Sequence, residues 1–105
     1  MLCGIPTIAS RIGGLVEVVM DGSTGVTVPV GDSRALCEAI LFARNHYEEM
    51  RERARAGRAL VETMFDVNRT ALEVEEIYRY VLGQKRSAPE EFSSEEFLKM
   101  AGAVA

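Results

Sequence analysis

The sequence is poor in the residues on which most recognisable chemistries depend. Its single histidine, His46, has no Ser, Cys or Asp arranged near it as a nucleophile or ligand set, so no acid–base role is expected of it. The two cysteines, Cys3 and Cys37, stand far apart with apolar neighbours and no metal-like spacing. Buried thiols in a reducing compartment are expected rather than a disulfide. Basic residues number 12 against 16 acidic ones, a balance that argues against nucleic acid or an anionic membrane as partner. No apolar run approaches the roughly 18 residues of a membrane span, so no transmembrane segment is expected. The first residues also lack the charged-then-apolar layout of a signal peptide, and a cytoplasmic location is expected. Gly-x-Gly-x-x-Gly, Walker, nucleophile-elbow and Cys/His metal patterns are all missing. On these grounds no cofactor, no metal and no catalytic residue is assigned.

What remains is an ordinary globular composition, 48% hydrophobic and 27% charged over 105 residues, enough for one small domain at most. The first third differs in kind from the rest. Residues 6–10, Pro-Thr-Ile-Ala-Ser, read as a short buried strand entering a turn at Gly13-Gly14. Residues 15–20 are apolar except for Glu17 and fit a short helix. Asp21-Gly22 and Thr24-Gly25 carry turn chemistry, and residues 26–29 form a second strand that Pro29 ends. About a dozen residues separate the strands, enough for a right-handed crossover between parallel neighbours. The fold class is therefore α/β, a βαβ unit followed by three to four helices.

After Gly31 the hydrophobic period changes from strand-like to helical. Asp32 or Ser33 can cap a helix carrying Leu36, Ile40 and Ala43. Tyr47, Met50, Ala54, Gly57, Val61 and Met64 form one apolar stripe, and Val67, Ala71, Val74, Tyr78 and Val81 a second; both are expected to pack. Asp66 is the expected cap between them. Residues 84–91 turn polar and read as a linker. Ser93 and Glu96 form a capping-box pattern that opens a last helix reaching to about residue 103. The arginines 51, 53, 55 and 58 are interspersed with Glu48, Glu49, Glu52 and Glu62, which describes a solvated helix face and not a nucleic-acid surface.

Binding chemistry concentrates in the first strand and its turn. Ligands of open parallel sheets lie beyond the carboxyl ends of the strands, which puts Ser10, Arg11, Gly13 and Gly14 on the ligand side. Backbone N–H groups at the start of the following helix can meet a diphosphate there, and Arg11 can add a charge-assisted contact. The competing reading of the two glycines is a turn that needs a positive φ. Glu17 has two readings as well: a carboxylate accepting from a sugar or ribose hydroxyl, or a group reaching back to an unpaired backbone N–H of the first helical turn.

The blocks Met1-Leu-Cys-Gly-Ile-Pro-Thr-Ile-Ala-Ser10, Gly13-Gly14-Leu-Val-Glu17-Val-Val, Asp21-Gly22-Ser-Thr-Gly25 and Val28-Pro29-Val-Gly31-Asp32 keep a familiar order and spacing. They resemble the last strand–helix–strand unit of the nucleotide-sugar-binding domain in retaining glycosyltransferases with the GT-B fold, of the group 1, or family 4, type. The resemblance implies a Rossmann-like domain over residues 1–83, with residues 84–105 as linker and short helical tail. It implies transfer of a sugar from a nucleoside-diphosphate sugar to an acceptor with retention, and places Ser10, Arg11, Gly13, Gly14 and Glu17 at the sugar donor. Met1 falls just after the Glu-x7-Glu motif that such enzymes use, so the chain is expected to be inactive alone and to need a missing amino-terminal part or a partner chain. Phe65-Asp66-Val67 departs from the family's usual Phe-Ser/Thr-Trp, and the helical half resembles it less closely. Two alternatives stand beside this reading: a small non-enzymatic helical interaction module, and a subunit of a split enzyme.

Overall fold

The computed structural model describes residues 1–91 and 93–100. Strands β1 (Ile8–Ser10) and β2 (Val26–Val28) pair in parallel, with Ile8 opposite Val26, Ala9 opposite Thr27 and Ser10 opposite Val28. The connection between them carries the single-turn helix α1 (Leu15–Val18), which completes the expected βαβ unit. This helix stops short of the expected residue 20. The Thr24 hydroxyl donates to the Val18 carbonyl at 2.7 Å and accepts from the Met20 amide at 2.9 Å, so a turn takes the groups that a longer helix would use. Met20 itself accepts from the amides of Ser23 and Thr24, closing that turn.

Helix α2 (Ser33–Asn45) starts where Asp32 accepts from the Ala35 amide at 2.9 Å. It bends at His46 into α3 (Tyr47–Met64). Asp66 then caps α4 (Val67–Val81), accepting from the amides of Asn68 and Arg69 at 3.1 and 3.3 Å. Ser93 opens α5 (Ser94–Met100) by accepting from the Glu96 amide at 3.3 Å. The expected extension of that helix to residue 103 lies outside the described residues. Replacing Asp66 by alanine removes two cap bonds while leaving the α4 surface intact, and is expected to cost about 1 kcal/mol in a urea titration.

The core forms where α3 crosses the βαβ unit. Met50, Ala54, Gly57 and Leu60 are its buried residues, α3 packs against α1, α2 and α5, and Val19, Val28 and the fully buried Leu98 of α5 complete the buried apolar set. Three expectations are corrected here. In α3 the buried row includes Leu60, while Tyr47 is exposed and Val61 and Met64 only half-buried. In α2 the buried residue is Ala39, and Leu36 and Ile40 face outward. In α4 nothing is buried: Val67, Val74, Tyr78 and Val81 form the stripe read from the sequence, but no described element covers it. Cys3 and Cys37 are both exposed free thiols; Cys37, two residues before the buried Ala39, lies on the opposite side of α2. These open faces leave the molecule elongated, 54 × 29 × 23 Å, with a radius of gyration of 16.5 Å against about 13 Å for a compact chain of this size.

Candidate functional site

The turn after β1 is built from the backbone. The Arg11 amide donates to the Val28 carbonyl at 2.8 Å, extending the ladder one residue beyond Ser10. The Ile12 amide then turns back to the Ser10 carbonyl at 2.9 Å, and Leu15 to Ile12 at 3.2 Å. Gly13 sits at φ +53, where a side chain is disfavoured, so its turn reading has a conformational reason. Gly14 has φ −66, which any residue adopts, and a Cβ built there would meet nothing within 4 Å. The fold itself places no demand for glycine at that position. Ser10, Arg11, Gly13, Gly14 and Glu17 are all solvent-exposed at the carboxyl end of the parallel pair.

Arg11 is fixed from the neighbouring strand. Its Nε and Nη2 both donate to Thr27 Oγ1 at 3.3 Å, and the Thr27 amide donates to Asp21 Oδ1 at 2.8 Å. Arg11, Asp21 and Thr27 line an open cavity of about 260 Å³ together with Val16, Val19 and Met20 of the crossover. The sequence reading singled out Arg11 and missed Thr27. The available signal was strand alternation, which sets Thr27 as the polar residue between Val26 and Val28, on the opposite sheet face.

Glu17 does not form the expected bond to the backbone of the first helical turn. Its backbone carbonyl instead accepts from Ser94 Oγ at 2.5 Å, which ties α1 to the start of α5. Glu17, Ser94 and Glu95 line a second cavity of about 240 Å³ beside α1. Because α1 is a single turn, its dipole adds little at this end of the sheet. Any anion contact here falls to the amides of the turn and to the Arg11 guanidinium. Farther along α5, Lys99 donates to Glu95 at 2.8 Å. That hydrogen bond, seconded by charge attraction, holds the Glu95 carboxyl below its ordinary range and raises the Lys99 ammonium.

The other candidates are structural. His46 lies exposed at the α2–α3 elbow with its ring stacked on Phe42, centroids 4.5 Å apart, and Nδ1 3.2 Å from the Phe42 carbonyl. Arg51, Arg53 and Arg58 pair with Glu48, Glu49 and Glu62 along α3. Arg53 does more than the sequence suggested. It lies over the Phe42 ring at 5.3 Å and donates to the Gly25 carbonyl at 3.2 Å, joining α3 to the end of the crossover turn. No group of His, Cys, Asp or Glu among the described residues is arranged to hold a metal ion.

Residues 1–46 match the family model described as glycosyl transferases group 1. The N-acetyl-alpha-D-glucosaminyl L-malate synthase of Bacillus anthracis is 32% identical over 82 residues, 78% of this chain and 22% of that protein. A glycogen synthase of Mycobacterium tuberculosis is 33% identical over 75 residues, 71% of this chain and 18% of that protein. Among solved structures, the sucrose-phosphate synthase of Thermosynechococcus elongatus superposes with a TM-score of 0.70 at 33% identity, covering 80% of this chain and 21% of that one. The chain thus spans about a fifth of the length of the curated relatives it matches.

Proposed function

The chain belongs to the group 1 family of glycosyltransferases, as the carboxyl-terminal portion of a GT-B enzyme, and we propose that its turn at residues 10–14 forms one wall of the sugar-donor site in the complete protein. The donor is a nucleoside-diphosphate sugar, and the reaction transfers its sugar to an acceptor with retention at the anomeric carbon. One observation carries this reading. Gly14 lies exposed beyond the carboxyl end of a parallel strand, in a conformation and a space that would both accept a side chain. Close approach of a ligand to the backbone is the remaining physical reason for glycine there. Arg11 beside it is exposed, and among the described residues no carboxylate lies within ion-pair reach of it. In this chemistry the protein acts mainly by stabilising the leaving diphosphate electrostatically, and a fixed guanidinium suits that task.

The test is donor affinity in the full-length protein. Arg11→Ala and Gly14→Val are each expected to weaken binding of the nucleoside-diphosphate sugar by about tenfold or more, since each removes or blocks a contact to a charged group. Unchanged affinity in both variants would remove the turn from the site. A second reading, a helical interaction module or split-enzyme subunit, draws on the uncovered α4 stripe. Sedimentation showing a concentration-dependent complex that ignores nucleotide-sugars would favour it.

A further inference from the structure

The Arg11 guanidinium is planar, and both of its bonds to Thr27 use one edge. Nε and Nη2 each donate to the same hydroxyl oxygen at 3.3 Å. The opposite edge, Nη1 with the outer N–H of Nη2, keeps the fork geometry that fits two oxygens of a phosphate. Thr27 is well placed to orient this group. It lies in the ladder opposite Ala9, is only 8% exposed, and has its backbone anchored to Asp21 at 2.8 Å. The hydroxyl is neutral, so it directs the cation without discharging it. Contrast the helix arginines: Arg34, Arg53, Arg58, Arg69 and Arg79 each pair with a glutamate four residues away. The one carboxylate lining the Arg11 cavity, that of Asp21, lies beyond ion-pair reach of Arg11 and receives the Thr27 amide on Oδ1.

Resting on the reading of Arg11 as a contact to the sugar donor, we propose that Thr27 is a positioning residue for diphosphate recognition. Its hydroxyl holds Arg11 so that the free guanidinium edge meets phosphate oxygens of the nucleoside diphosphate. The residue acts through Arg11 and touches no substrate. A valine at position 27 keeps the shape and the strand preference of threonine but leaves the guanidinium without its anchor.

Binding of UDP, GDP and ADP to the full-length protein, measured by titration calorimetry, provides the test. Thr27→Val is expected to weaken the preferred nucleoside diphosphate about three- to tenfold, the range of one net hydrogen bond. Thr27→Ser should restore most of the affinity, and Thr27→Val should add nothing in an Arg11→Ala background, since the effect passes through that residue. If Arg11→Ala weakens binding while Thr27→Val does not, the positioning role is overturned and the Arg11 reading stands. If Arg11→Ala leaves binding unchanged, the Arg11 reading fails and the positioning role with it. Equal losses for Thr27→Val and Thr27→Ser, accompanied by a lowered melting temperature, would mark Thr27 as merely structural and overturn the proposal.

Discussion

Replacing Gly25 by alanine is expected to destabilise the protein by about 2–3 kcal/mol, well beyond the usual cost of adding one methyl to a turn. The reason is geometric and not conformational. A Cβ on Gly25 would stand 2.6 Å from the Thr7 carbonyl oxygen and 2.9 Å from Val19 Cγ1. The first neighbour is backbone and cannot step aside, because that oxygen accepts the Val26 amide at 3.0 Å at the entry to the β1–β2 ladder. The second is a core side chain only 3% exposed. Gly25 also accepts from the Gly22 amide at 3.1 Å and from Arg53 at 3.2 Å, so a displaced backbone there loosens the turn, the sheet and the α3 contact together. Gly22 supplies the control. It sits at φ +79 with nothing within 4 Å of a built Cβ, so Gly22→Ala is expected to cost only the left-handed penalty, about 1 kcal/mol. Urea midpoints at a constant slope separate the two variants. Equal losses would mean that the crossover turn is loose enough to absorb the methyl.

Gly25 also marks where sequence reasoning stops. Thr24-Gly25 was legible as turn chemistry, yet the need for glycine comes from Thr7 and Val19, which no local pattern brings near. Elements whose signals are local were readable: the two short strands, their parallel crossover, and the caps at Asp32, Asp66 and Ser93. Elements whose meaning depends on a partner were not. The α4 periodicity correctly gave a stripe, but periodicity states which side chains share a face and not what covers it. In α2 the same limit applies, since small Ala39 packs inward while the larger Leu36 and Ile40 stay outside. Arg53 looked like one more member of an ion-paired surface. Its second partner, the Gly25 carbonyl, lies 28 residues back and only the folded chain reveals it. At the candidate site, Ser10, Arg11, Gly13, Gly14 and Glu17 were legible as a cluster because they follow one strand end. Thr27 was not, because its link to Arg11 crosses the sheet.

The 105-residue chain expressed by itself is expected to self-associate as its concentration rises and to transfer no detectable sugar. A two-stranded sheet is marginal in water, and both outer edges of the β1–β2 pair carry no strand among the described residues. Ile5, Ile12, Val30, Leu36 and Ile40 are more than 40% exposed around it, a surface that favours association over a stable monomer. The chemistry is short of an enclosure as well. Electrostatic stabilisation of a leaving diphosphate is strongest where water is excluded. The cavities beside the turn measure about 240 and 260 Å³ and are open, below the roughly 300–1,000 Å³ of sites that bury a ligand. An Arg11 guanidinium at such a wet surface binds an anion weakly, because water and salt screen it. Analytical ultracentrifugation over a hundredfold concentration range and a radiolabelled sugar-transfer assay with several nucleoside-diphosphate sugars give the two readouts. A monodisperse monomer that turns over a sugar donor would show that these residues hold a complete site, and would overturn the view that the donor wall works only within a larger protein.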